Sequence, residues 1–344
     1  AIAAIVSPLF VSYVADRYFA SQKVFSALHL AGAVFLLMAS KATSFSGIYT
    51  LLLIYSLCYM PTLAIANGIG FRHLDDPDRQ FPLVRVLGTI GWIGAGLDVG
   101  FLGVEYRNIT LQIAAGMSLL LAVYGFALPD TPPKPSDEPR TVARVLGLDA
   151  FSLMKNRSFL VLFIASVLIS IPLAFYYNFT NLFLNEIGME NAAGKQTLGQ
   201  QSEVLFMLLM PFLVRRMGIK WMVAVGMLAW TLRYVLFAFG DVSPATVWML
   251  YAGIVLHGIC YDFFFVAGQI YANREAPESL KNSVQGIMTL GTYGVGMFIG
   301  SLASGWIVSL YTAADGLKNW EGIWLIPACM AAVVLVLFII FFRE

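Results

Sequence analysis

Apolar runs of about 20 residues recur along the whole chain, separated mostly by short polar breaks. Each run is long enough to cross a hydrocarbon layer about 30 Å thick as a helix. The pattern predicts eleven helices, near residues 1–15, 24–40, 47–70, 82–103, 109–128, 158–185, 196–214, 219–239, 245–272, 282–311 and 321–342. One hydrophilic stretch is long: 129–157 (PDTPPKPSDEPRTVARVLGLDAFSLMKNR), Pro-rich at first and then weakly amphipathic. It reads as a linker between an N-terminal bundle, 1–128, and a C-terminal bundle, 158–344.

Composition agrees with the bilayer as solvent. Hydrophobic residues make up 59% of the chain and charged residues 12%, whereas a soluble domain carries about a quarter charged residues. The net charge of +1 gives no reason to expect nucleic acid or an acidic partner. Cys58, Cys260 and Cys329 each sit inside an apolar run without ligand spacing, so no disulfide framework or metal site is expected.

The distribution of charge is more informative than its sum. Of the 21 Lys and Arg, fifteen fall in alternate breaks, among them Arg17, Lys23, Arg72, Arg79, Arg215, Arg216, Lys220 and Arg274. The opposite breaks carry only Lys41, Arg107, Lys195 and Lys318, and Arg85 and Arg233 lie within helices. By the positive-inside rule the first set is cytoplasmic.

Asp16-Arg17 follows the first helix, and Arg215-Arg216-x-Gly218-x-Lys220 follows the second helix after the linker. If these loops are equivalent in two six-helix repeats, the expected fold has twelve helices, of which the first is missing here. The chain starts at Ala1 rather than Met, which fits that expectation.

An ionisable side chain near the bilayer centre costs about 2.5–3.5 kcal/mol on insertion scales, so each one needs a reason. Glu203 has Gln200 three residues before it, on the same helix face. A carboxyl lining such a half-dry cavity can take a proton from one side and release it on the other. Asp262 follows Tyr261 in an aromatic run and His257 stands four residues before Tyr261, a combination that suits a polar ring compound. Arg85, Thr89 and Trp92 share a face at i, i+4 and i+7, suited to pairing with a carboxylate or with solute. Arg233 is expected near the outer end of its helix, reaching the interface. Gly88, Gly91 and Gly94, and Gly296-x-x-x-Gly300, are expected at close helix contacts.

Several stretches together resemble the nucleoside:proton symporters of the major facilitator superfamily: YVADRYF (13–19), CYMPTLAIANGIG (58–70), FPLVRVLGTIGW (81–92), LGLDAFSLMKN (146–156), SEVLFMLLMPFL (202–213), AWTLRYVLFAFGD (229–241) and GICYDFFFVAG (258–268). The resemblance implies an all-α polytopic membrane protein of two six-helix bundles. It also implies a bacterial inner-membrane location, a monomer in the lipid bilayer, no cofactor, no metal and no enzymatic activity.

The cargo implied is a nucleoside moved with a proton by alternating access. Arg85, Thr89, Trp92, Gln200, Glu203, Tyr261 and Asp262 would contact substrate, Glu203 and Asp262 would couple protons, and Asp16 and Arg17 look like the superfamily's gating motif. Ala174 and Tyr177 stand where relatives show amides, and His257 where they show Tyr; Tyr177 and His257 are still expected to touch the solute. Arg85-x-x-Gly88-Thr89-x-Gly91 also looks like the disaccharide:proton symporters, so a sugar is the alternative cargo. A membrane enzyme or sensor is more remote: no nucleophile with a base and no phosphate loop is evident.

Overall fold

The computed structural model describes residues 2–101, 108–133 and 148–343, and these are almost entirely helical. The helices are α1 (Ile2–Arg17), α2 (Ser21–Lys41), α3 (Phe45–Arg72), α4 (Pro77–Phe101), α5 (Ile109–Tyr124), α6 (Arg157–Glu186), α7 (Ala192–Phe239), α8 (Val247–Tyr261), α9 (Ala267–Glu275), α10 (Lys281–Thr289), α11 (Met297–Leu310) and α12 (Trp320–Phe341). A 3-10 stretch, Leu148–Lys155, leads into α6. Most of the predicted linker, 134–147, lies outside the described residues.

At 1.5 Å per residue the 48 residues of α7 would extend about 70 Å, more than two hydrocarbon layers. The run is broken at Gly218, whose φ of 74° and ψ of 166° belong to a region essentially reserved for glycine. Two crossings therefore meet at the Arg215–Lys220 loop, as the apolar runs predict.

Two other predicted helices are interrupted. Residues 245–272 form α8 and α9 around a π-helical turn, Asp262–Val266. Residues 282–311 form α10 and α11 around a second such turn, Leu290–Gly296. Wide turns of this kind tend to occur at functional sites.

Eight helical stretches among the described residues are long and apolar enough to cross a membrane. The run 192–239 counts once among them but holds two crossings. With α1 and α4, which fall outside that set, the eleven predicted helices are all present. Large apolar side chains such as Leu120, Val123, Phe126 and Ile340 are exposed, as befits faces solvated by lipid.

By contacts the chain forms two compact units, neither continuous in sequence. The first comprises Ala1–Asp75, Gly94–Lys155 and Ala272–Gly294; the second comprises Asp76–Ile93, Asn156–Tyr271 and Val295–Glu344. The first has a core of Ala15, Phe25, Ile65 and Ile69, with Val11, Val24, Leu28 and Leu128 packed against it.

The core of the second unit is aromatic. Tyr234 stacks on Trp324 with centroids 5.7 Å apart, and Phe183 and Phe237 meet the edge or tilt of the same ring. The Tyr234 hydroxyl donates to the Pro172 carbonyl at 2.6 Å, tying α7 to α6. Gly300 packs closely, since a Cβ there would lie 2.7 Å from that of Ala174. Among the described residues no close contact is made at Gly91 and Gly94, where a Cβ would meet nothing within 4 Å.

Candidate functional site

A polar cluster in the second unit joins α4, α7 and α8. Its core depends on close helix approach at Gly258: a Cβ there would lie 2.5 Å from the Ser202 carbonyl carbon. The Gly258 N–H donates to Ser202 Oγ at 3.0 Å instead. This contact sets Glu203 of α7 beside His257 of α8, with His257 Nε2 3.8 Å from Glu203 Oε2. On its other oxygen Glu203 accepts from the Thr89 hydroxyl of α4 at 2.6 Å. One turn earlier on α4, Arg85 Nη2 donates to the Tyr261 hydroxyl at 3.3 Å.

Arg85, Thr89, Glu203, His257 and Tyr261 are thus brought together. Thr89, Glu203 and His257 are buried and Arg85 is half-buried. Arg85 thus bonds to Tyr261 within the cluster.

Asp262 follows Tyr261 and opens the π-helical turn. Its side chain is fully buried, and neither carboxyl oxygen has a hydrogen-bond partner among the described residues. Gln200 is half-buried one turn before Glu203. Tyr177 is 50% exposed and meets Tyr176 edge-on at 5.7 Å. Trp92 shares the α4 face by spacing but is 73% exposed, apart from the packed cluster.

Arg233 corrects the sequence expectation. It is completely buried rather than reaching an interface. Its Nη1 lies 3.2 Å from His257 Nδ1, and its guanidinium carbon lies 3.5 Å from the centre of the Tyr176 ring. Neither Arg233 nor Tyr176 stood out in the sequence as a site residue. A cation inside the apolar run 219–239 was the available signal, and its partners 24 and 57 positions away were not.

The first unit holds Asp16 and Arg17. Asp16 is buried and forms an ion pair with Arg72 at 2.8 Å. It also accepts from the Asn282 N–H (3.3 Å) and amide (2.7 Å), and from the Ser283 N–H (2.9 Å) and hydroxyl (2.6 Å). It thereby binds N–H groups in the first turn of α10, which have no partner within the helix and where a helix favours negative charge. Arg17, next to it, is half-buried. An apolar groove elsewhere in the second unit, about 580 Å³ and lined by Leu168, Ile171, Leu325, Ile326 and Met330, has no charged group with which to read a polar solute.

The model of the nucleoside H+ symporter family matches residues 1–344. The chain belongs to the nucleoside H+ symporter family. It is 44% identical to the putative nucleoside transporter YegT of Escherichia coli K12 over all of its own length and 84% of that protein. It is 33% identical to the nucleoside permease NupG of Escherichia coli K12, covering 99% of this chain and 85% of the permease. A crystal structure of a mutant of the nucleoside transporter NupG superposes with a TM-score of 0.77 at 32% identity, over 99% of this chain and 88% of that one. The fold is accordingly that of the major facilitator transporters, and this symporter-family chain is an integral protein of the bacterial inner membrane.

Proposed function

We propose that this protein carries nucleosides across the inner membrane together with protons, working by alternating access. The observation that carries the reading is a pair of buried carboxyls in one unit: Glu203, which accepts from Thr89, and Asp262, whose oxygens have no hydrogen-bond partner among the described residues. A carboxylate left unpaired away from water is costly, so Asp262 needs a proton or a donor from the solute to complete it. Ribose hydroxyls are such donors. Tyr261 and Tyr177 offer ring faces for a base, while Arg85, Gln200, Thr89 and His257 offer hydrogen bonds.

In this reading Glu203 and Asp262 exchange protons with the two sides in turn, and Trp92 contacts the base. Asp16 and Arg17 belong to the gate. Residues 1–128 and 158–344 act as the two halves, joined by 129–157. The protein works as a monomer in the lipid bilayer and carries out no catalysis.

Uptake of labelled nucleosides by cells expressing the full-length protein, with and without a protonophore, tests this. Nucleosides should accumulate, compete with one another and stop accumulating when the proton gradient collapses. Failure of nucleosides to enter or compete, or competition by disaccharides instead, overturns the reading.

A further inference from the structure

Arg233 and His257 form a contact whose chemistry is fixed by the donor. A guanidinium has N–H groups only and keeps its charge at any physiological pH. At 3.2 Å from Arg233 Nη1, His257 Nδ1 must therefore be the acceptor. The ring proton then sits on Nε2, the nitrogen 3.8 Å from Glu203 Oε2. The imidazole is held in place from the side as well, stacked on Tyr176 with centroids 5.2 Å apart and planes 22° from parallel. The same Tyr176 ring carries the Arg233 guanidinium on its face.

We propose that Arg233 is a positioning residue for the transport site: it holds His257 as the neutral imidazole protonated on Nε2, and so keeps Glu203 out of an internal ion pair. A second proton on His257 would place an N–H against the N–H of Arg233 and a cation beside a cation, with both side chains buried. Without Arg233, a doubly protonated His257 would face Glu203 at ion-pair distance and hold that carboxylate ionised.

The groups facing His257 are Arg233 and Glu203 from α7, Tyr176 from α6 and Tyr261 one turn on along α8. Thr89 and Arg85 of α4 bond in turn to Glu203 and Tyr261. Arg233 is the cation in contact with Nδ1 among these. The inference rests on the reading of Glu203 as a residue of the solute site.

Nitrogen NMR of the full-length protein, labelled at histidine and held in lipid nanodiscs, tests it directly. The chain has three histidines, and the signals of His257 are those lost in His257→Gln. In the parent, His257 should show the neutral Nε2–H form throughout pH 5–8. In Arg233→Gln it should become doubly protonated toward the acid end of that range.

Gradient-free exchange of labelled nucleoside should then fall about tenfold one pH unit below the midpoint of that titration. The double variant Arg233→Gln/His257→Gln should lose this acid sensitivity. An Nδ1–H or titrating His257 in the parent overturns the proposal. So do unchanged His257 signals in Arg233→Gln, or acid sensitivity that persists in the double variant. Should Arg233→Gln fail to fold, the parent spectrum alone still decides which nitrogen carries the proton. Because the spectra need no solute, a protein that ignores nucleosides but shows the expected signals sinks the cargo reading and leaves this one standing.

Discussion

Asp16 in the first unit and Asp262 in the second are both buried carboxyls, and their surroundings are opposites. Asp16 takes an ion pair and four further hydrogen bonds from Arg72, Asn282 and Ser283. Asp262 takes none from the described residues. A carboxylate surrounded by donors has its charge balanced in place and acts as a latch, here joining α1, α3 and the start of α10. One without donors is balanced only when something else arrives, whether a proton or a hydroxyl of the cargo. In the proposed reading, the coupling acid is therefore told apart by burial without donors rather than by burial alone.

The largest effects should separate the two acids by assay. Asp262→Asn should abolish proton-driven nucleoside accumulation and melt close to the parent in detergent, because the carboxyl makes no hydrogen bond to the described residues. Asp16→Asn should lower stability by about 3–5 kcal/mol, the range for breaking a buried pair and leaving its cation uncompensated. Thermal melting and uptake on both variants check this. If Asp262→Asn melts as low as Asp16→Asn, Asp262 is a second structural acid and the contrast collapses. A smaller effect belongs to Glu203, which stands between these extremes with one strong donor. Thr89→Val should weaken nucleoside binding or site stability by about 1.5–3 kcal/mol, the value of a hydrogen bond to a charged group. Binding isotherms with the full-length protein would show it, and an unchanged isotherm and melt would mean that the 2.6 Å contact contributes nothing.

The sequence announces the crossings and the ionisable groups because each contrasts with an apolar background. Arg85, Glu203, His257 and Asp262 stand out for this reason, and Thr89 follows from Arg85 by helical spacing. Partnership is much less legible. Arg72 and Asn282, which make Asp16 a latch, lie 56 and 266 positions from it, and no local pattern links them. The π-helical turns at Asp262 and Leu290 hide inside runs that look continuous, since one extra residue in a turn leaves the hydrophobicity unchanged. Spacing also shows which residues share a face without showing what that face meets. Among the described residues a Cβ at Gly91 or Gly94 would meet nothing within 4 Å and Trp92 is exposed, while Arg233, expected at an interface, is enclosed by Tyr176 and His257.

Asp241 separates donor count from burial in the opposite direction. It lies in the loop between α7 and α8, exposed, yet it accepts from the Ser243 N–H at 2.7 Å and from the Thr246 hydroxyl. Hydrogen bonds from Ser243 and Thr246 hold its carboxyl below the ordinary carboxylate range. A depressed folded value means that its contribution is present above the unfolded value of 3.8 and is lost as pH falls through the lower folded one. Water replaces lost partners at this surface, so Asp241→Asn should shift the melting temperature far less than Asp16→Asn at pH 7. The small difference from the parent should vanish as the pH falls below 3.8 toward the folded value. Melting curves at the two pH values measure both points. A loss at Asp241 as large as that at Asp16 would mean that donors alone make the latch, and that burial adds nothing to it.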